Sequence, residues 1–499
     1  MGKLGRFVAH HSHSIHNQLK SGYSSPPQGW RQKRAQAGIC KHGKKRVNVV
    51  SNRASLSRTS RWLAIATASA LVGSLALAAI PAQAASKTPG VTDTEIVLGM
   101  QLPQTGPASP GYNKVDDAMR AYFDYVNSKG GVYGRDITLV AKDDTYKAGL
   151  TVSTASALIN KDKVFAMVGS IGTQTHISVI KDINRRGIPD LFVNSGYSGF
   201  YTDPKKYPTT FGGLGTYVAE AKILGKYIKK NFSSNKVGIV YQTDDFGRNT
   251  VEGLATAGVT FTPRQTAATF IAGTQGSGLD SQMQQLKDNE VDVVIVGAVA
   301  SAFAAAVASA NKIGYKPAQW IVISVGADAT TFQTILGARG IAPAVSAQLL
   351  AGTISASHAP SPGEADDEFI KAFKKINEDF NKGPDSKWDN NVLQGMNIGY
   401  LMTSALLGAG KNLTRPGIIK YVKENGAKLS SAALAPLGYG ATTHEAFTGF
   451  WIGKYDANLV LKPVGKARKV WTTDSAKGKV KGLKYKRPAI AADALPKVG

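Results

Sequence analysis

Residues 164–197 read VFAMVGSIGTQTHISVIKDINRRGIPDLFVNSGY, and apolar and polar positions change period twice along them. Val164 to Val168 is an unbroken apolar run, the pattern of a strand buried on both faces of a parallel sheet. Gly169 ends it, and the small hydroxyl-rich positions Ser170, Gly172, Thr173 and Thr175 follow. Ile177, Val179, Ile180 and Ile183 then recur at helical spacing and predict one apolar helix face. Gly187 and Pro189 close that helix and lead into a strand at Leu191 to Val193. Asn194, Ser195, Gly196, Tyr197 and Ser198 make a second loop of the same chemistry.

The same alternation runs on either side. Strands are predicted at 96–100 and 137–141, with helices at 116–127 and 151–160. After a pause at FGGLG (211–215) it restarts: helix 216–229, strand 236–241, helix 249–257, helix 279–288, strand 293–296, Ala-rich helix 301–313 and strand 321–324. A crossing segment at 352–357, helices at 364–379 and 390–408, and a strand at 449–455 complete it. Alternating strands and helices predict doubly wound α/β sheets, and the restart after 215 predicts two similar lobes.

In such sheets ligands sit at the carboxyl ends of strands. The two loops after Val168 and Val193 therefore form a candidate anion corner, most simply for a carboxylate, with helix N-terminal N–H groups as added donors. The alternative is that Thr173 or Thr175 only caps a helix.

Charge changes the picture less than its total suggests. The 499 residues carry a net charge of +26, but residues 1–84 hold 13 of the 60 basic residues and none of the 34 acidic ones. Residues 475–499 add seven basic residues against one acidic. The middle is only mildly basic, so a nucleic-acid partner is not expected. The single cysteine, Cys40, lies in the leader, which excludes disulfides, a thiol nucleophile and cysteine metal sites from the rest.

Residues 1–57 read as a basic low-complexity extension, with translation expected to begin later, near Val47 to Leu56. Arg58 and Arg61, the apolar stretch 62–79 and Ala82-Gln83-Ala84 read as a signal peptide cut after Ala84, or as a membrane anchor if left uncut. Export to the periplasm or cell envelope follows from either. A lipoprotein anchor is not expected, because Ala85 stands where a cysteine would be needed.

No phosphate-binding loop, nucleophile elbow or zinc-protease motif is present, and no cofactor or metal is expected. His176, His358 and His444 are too scattered to suggest a metal site. Asp143-Asp144 and Asp244-Asp245 could be paired catalytic carboxylates, or strand-end residues that cap helices and line a cleft. With no nucleophile and base, a binder is expected rather than an enzyme.

Several segments in joint order resemble the substrate-binding proteins of bacterial ABC importers of the branched-chain amino acid and amide type. They are LPQTGP (102–107), VNSKGGVYGRDITLVAKDD (126–144), VFAMVGSIGTQT (164–175), IVYQTDDFGRN (239–249) and VDVVIVG (291–297), within a resemblance covering about 92–460. It implies two Rossmann-like lobes joined by a three-crossover hinge. Lobe one would be 92–212 plus 353–442 and lobe two 213–352 plus 443–474, while residues 475–499, Lys-rich and without periodicity, read by themselves as a basic flexible tail. The resemblance further implies a monomer that traps a small solute by hinge closure and delivers it to a membrane permease.

The carboxylate positions of the family fall on Ser170, Gly172, Thr173 and Asn194 to Tyr197. Tyr241, Asp244 and Ala298 are implied cleft residues. The family's ammonium-binding acid falls near Gly326, so Asp328 is the available substitute, and an amino acid, an amide or an organic acid remains open. Two rival functions stay beside this one: an extracellular sensor of the same fold, and a secreted hydrolase using the Asp pairs.

Overall fold

The structure, a computed structural model, describes residues 88–497. The expected leader, signal peptide and Cys40 lie outside the described residues. Continuous apolar runs form the centre of two sheets. The first sheet contains β1 (Glu95–Leu102), β2 (Asp136–Asp143), β3 (Ala166–Val168), β4 (Asp190–Val193) and β5 (Thr210–Gly212), in the order β2-β1-β3-β4-β5. All its pairings are parallel. β3 and β4 are buried at every position, as strands covered by helices on both faces must be.

The second sheet holds β6 (Val237–Gln242), β7 (Ala267–Phe270), β8 (Val293–Gly297), β9 (Gln319–Val322) and β10 (Ile354–Ser357). β11 (Gly449–Tyr455), β12 (Leu461–Pro463), β13 (Trp471–Thr472) and β14 (Lys481–Gly482) complete it. Its main path is β14-β13-β11-β10-β9-β8-β6-β7, with β12 paired to β11. β6 to β10 pair in parallel, and the edge from β11 onward is antiparallel. Each sheet has its own core: Met100, Met119 and Tyr400 belong to the first, Val294, Phe303 and Trp451 to the second. The chain is thus the two-lobed α/β architecture that the alternation predicts.

Four expectations change. The crossing segment 352–357 is β10, paired with β9 and β11 in the second sheet, so the chain enters the first lobe only after Ser357. Its return is also later, because Ala446 and Phe447 still pack in the first core. The single helix expected over 177–183 is two short ones, Thr173–Ile177 and Ile180–Arg185. The break turns Ile177 outward to 37% exposure, while Ile180 and Ile183 stay buried.

The tail is not a mobile appendage. β13 and β14 extend the second sheet, and the following segment crosses back to the first lobe. There Arg487 pairs with Asp367 at 2.6 Å, and the Tyr122 hydroxyl donates to the Ala494 carbonyl at 2.8 Å. Lysine-rich sequence without apolar periodicity does not reveal this, because the strap is held by side chains of the body.

Candidate functional site

The loops after β3 and β4 meet as their parallel register requires: Asn194 N–H donates to the Ser170 carbonyl at 2.9 Å. The Thr173 and Ser195 hydroxyls are 2.8 Å apart and fully buried. Gly172 has φ of 114°, and a Cβ there would lie 2.3 Å from Thr175 Oγ1 and 2.8 Å from the Tyr146 ring. Only glycine fits. Neither threonine is a cap: the N-cap is Gly172, and Thr175 Oγ1 donates back to the Ile171 carbonyl at 3.1 Å. The helix that begins there has only five residues, so side-chain and loop donors dominate the corner rather than a long helix dipole.

The corner's donors converge on a residue that the sequence reading did not single out. Tyr217 opens the second-lobe helix Tyr217–Asn231, with Thr216 as N-cap. Its N–H donates to the Gly196 carbonyl at 2.8 Å, which threads the helix start into the first-lobe loop. Its phenol group faces the Gly196 N–H and the Thr173 and Ser195 hydroxyls, which are themselves bonded to each other. The ring stacks on Phe246 at 4.3 Å. A Cβ on Gly196 would fall 2.6 Å from that ring. Burial pushes the phenol pKa up to about 12, with those donors opposing the rise, so the oxygen carries its proton at neutral pH.

The lobes close over this region. Asn249 Oδ1 accepts from Ser198 N–H at 3.0 Å and from Ser198 Oγ at 2.9 Å. Asn390 N–H donates to Asp328 Oδ2 at 3.2 Å, and the Tyr112 hydroxyl donates to the Val325 carbonyl at 3.3 Å. Behind the closure, on the hinge side, lies a cavity of about 80 Å3. Asn194, Asp328, His358, Asn390 and Gln394 supply polar wall, and Leu214, Leu393 and Leu461 supply apolar wall. Few polar groups on an apolar frame, drawn from both lobes, is the make-up of a small-molecule site.

Asp328 has two fixed jobs there. Oδ1 caps the helix Ala329–Ala338 by accepting from Thr331 N–H at 2.6 Å, and Oδ2 holds the first lobe through Asn390. His358 stacks on Phe447 at 4.9 Å, and burial lowers its pKa to about 4, against a favourable bond from Gln394. It is therefore neutral at pH 7, and its Nδ1 has no hydrogen-bond partner among the described residues.

The remaining sequence-derived residues divide. Asn194 and Asp328 line the cavity, and Gly172, Thr173, Ser195 and Gly196 build the corner. Ser170 Oγ turns toward Gln101 N–H at 3.4 Å, and Tyr197 packs edge-on against Phe200 at 4.9 Å. Ala298 is fully buried with its carbonyl under Gly326, and Tyr241 packs beside Gly247; neither lines the cavity. Asp244 caps the helix Asp245–Thr256 through Gly247 N–H at 3.2 Å and accepts from Gln242 at 2.7 Å. Asp143 accepts from Gln104 and Thr145 N–H groups, and Asp144 from Tyr146 N–H and Thr151. Asp143, Asp144 and Asp244 are thus committed to a local loop or cap, and Asp245 pairs with Arg248 at 3.2 Å. No metal-binding cluster occurs among the described residues.

A second carboxyl beside the cleft comes from Glu220. It is fully buried, and Ser324 Oγ donates to it at 2.7 Å. Burial raises its pKa to about 7, against the Ser324 bonds. The folded state then binds more protons than the unfolded chain between about pH 4.5 and 7. Its contribution is full below about 4.5 and is lost as pH rises through 7, a span worth at most about 3 kcal/mol. Glu220→Gln removes that term, so melting temperature across this window should climb more steeply with pH than in the wild type. Parallel curves for the two proteins would rule it out.

A family model described as periplasmic binding protein matches residues 95–459. A Leu/Ile/Val-binding protein of Rhizobium johnstonii is 22% identical over 386 residues, covering 74% of this chain and 93% of the relative. A branched-chain amino acid ABC transporter protein of Thermus thermophilus, solved with bound valine, superposes with a TM-score of 0.65 at 16% identity. The overlay covers 77% of this chain and 98% of that one. A fatty acid ABC transporter substrate-binding protein of Thermomonospora curvata gives 0.64 at 21% identity, over 80% of this chain and 97% of the other. Among the described residues no helix is long and apolar enough to cross a membrane. With two parallel-sheet lobes closed over a mixed polar and apolar cavity, and a family match across most of its length, the chain belongs to the periplasmic binding protein family.

Proposed function

We propose that the protein is an exported, monomeric solute-binding protein that captures a small amine- or amide-bearing solute between its lobes and delivers it to an ABC importer. The observation that carries this reading is the cavity whose polar wall comes from both lobes, because a solute touching both holds them closed. Asp328 is its acceptor for an amine or amide N–H, and Asn194, Asn390 and Gln394 give neutral polar contacts. The relatives named for Leu, Ile and Val binding and for ABC transport support the importer as recipient. A carboxylate on the solute reaches the Thr173–Ser195 corner only by displacing the Tyr217 hydroxyl. No catalytic step is required, and the local roles of the Asp pairs support binding without turnover.

The test is a thermal-shift panel of amines, amides, amino acids and organic acids. A solute bound only by the folded state stabilises it by mass action, by about 2.7 kcal/mol at a hundredfold excess over its Kd, and so raises the melting temperature. We expect an amine or amide to head the panel and to be recovered unchanged. Recovery as a cleaved product, or no shift with any amine or amide, would refute the reading.

A further inference from the structure

We infer that a second site, unrelated to the cleft, binds a linear phosphate-rich polyanion in a lysine-walled groove on the outer edge of the second lobe. One wall is the helix Tyr217–Asn231, whose Lys222, Lys226, Lys229 and Lys230 recur at helical spacing on one face. The other is the strap between β13 and β14, which bends at 475–477 and carries Lys477 and Lys479. Together they enclose about 600 Å3, and Lys226 and Lys230 continue the groove into a neighbouring one of about 530 Å3.

The strap is built in place rather than lying loosely. Lys222 is buried and donates to the Asp474 carbonyl at 2.9 Å and to the Ala476 carbonyl at 2.8 Å, and its charge is matched by Asp474. Lys226 donates to the Val480 carbonyl at 3.1 Å. Beyond Lys222, none of the groove lysines is in a salt bridge among the described residues. Residues 1–87 and 498–499 contain no Asp or Glu that could neutralise them. Two facing rows of like charge destabilise the fold by self-repulsion, and an anion lying between them relieves it. The helical row spans roughly 12 Å, so it suits successive anionic groups on one chain better than a single ion.

The groove discriminates among polyanions. Its tryptophan, Trp471, has Lys226 at 5.2 Å and Lys469 at 4.2 Å from the ring centre. Those ammonium groups cover the ring and leave it unsuited to stacking on a base, which argues against nucleic acid. Concave walls argue against a flat membrane. The helix wall lies inside the family match, which ends at 459, and the strap wall lies beyond it.

The test is fluorescence anisotropy of labelled inorganic polyphosphate with the full chain across a salt series. We expect binding that weakens steeply with salt. Neutralising Lys226, Lys229, Lys477 and Lys479 together, each to Gln, should weaken it about tenfold or more. Neutralising the exposed Lys181, Lys205, Lys316 and Lys420 instead should leave it within about twofold. If the groove variant melts early, the single changes Lys229→Gln and Lys479→Gln, each weakening binding, carry the test. Equal loss in both quadruple variants would reduce the effect to net charge and overturn the site. So would absent binding at low salt, tighter binding of an oligothymidylate, or capture only by anionic vesicles. None of these outcomes touches the solute cleft.

Discussion

Tyr217→Ala is expected to raise the affinity for a small carboxylate-bearing solute by about tenfold or more. The corner presents the Gly196 N–H and the hydroxyls of Thr173 and Ser195, and the Tyr217 phenol stands in front of them. A charged acceptor gains about 1.5–3 kcal/mol per hydrogen bond, more than a neutral phenol does, once the ring no longer fills the space. Removing a buried, stacked ring costs about 3–5 kcal/mol of fold stability, so affinity and melting temperature should move in opposite directions. Tyr217→Phe separates the two effects: it keeps the ring and should gain nothing. Adding Thr173→Ala to Tyr217→Ala should cancel the gain. Calorimetric titration with a short aliphatic acid and its amide reads all four proteins. If the wild type already binds the acid as tightly as the Tyr217→Ala variant does, the phenol is no barrier and the corner has been misread.

Asp328→Ala has the second large effect, in the opposite direction. One oxygen caps the helix Ala329–Ala338, a loss of about 1 kcal/mol. The other ties the lobes through Asn390, and the residue lines the cavity proposed for the solute. Solute affinity should fall about 10–100-fold, as expected when a charged hydrogen-bond partner is removed, while the cooperative melt persists. Small-angle scattering should show a larger radius for the variant in saturating solute than for the wild type, because one closing contact is gone. Asp328→Asn keeps the shape and removes the charge. It should weaken an amine far more than an amide and so identify which end faces the second lobe. Unchanged affinity in Asp328→Ala would move the second-lobe half of the site elsewhere.

Much of the fold was readable because it depends on short-range pattern. Continuous apolar runs identify β3, β4 and β8, and Gly449–Tyr455 was expected at its observed bounds. The elements that escaped lack such a pattern. Thr210–Gly212 and Ala267–Phe270 are too short, and β13 and β14 are two-residue strands fixed only by pairing with β11 and each other. The apolar period through 177–183 was real, but the turn at Ser178 and Val179 divides it.

The site divides the same way. The sequence alone determined that loops rich in Gly, Ser, Thr and Asn follow two buried strands, and that Asp328 is available on the far side. Parallel strand order then brings the Thr173 and Ser195 loops together, since neighbouring strands end at one sheet edge. What tertiary structure decided is which atoms meet there. Tyr217 lies more than 20 residues from Ser195 and on the other lobe, yet its phenol stands against the groups a solute was expected to use. His358 and Gln394 reach the cavity only because the chain crosses between lobes after β10 and returns along a long helix. Hydrogen-bond donors are a property of residue type, and sequence reveals them. Their occupants are a property of packing between distant segments, which local pattern does not encode.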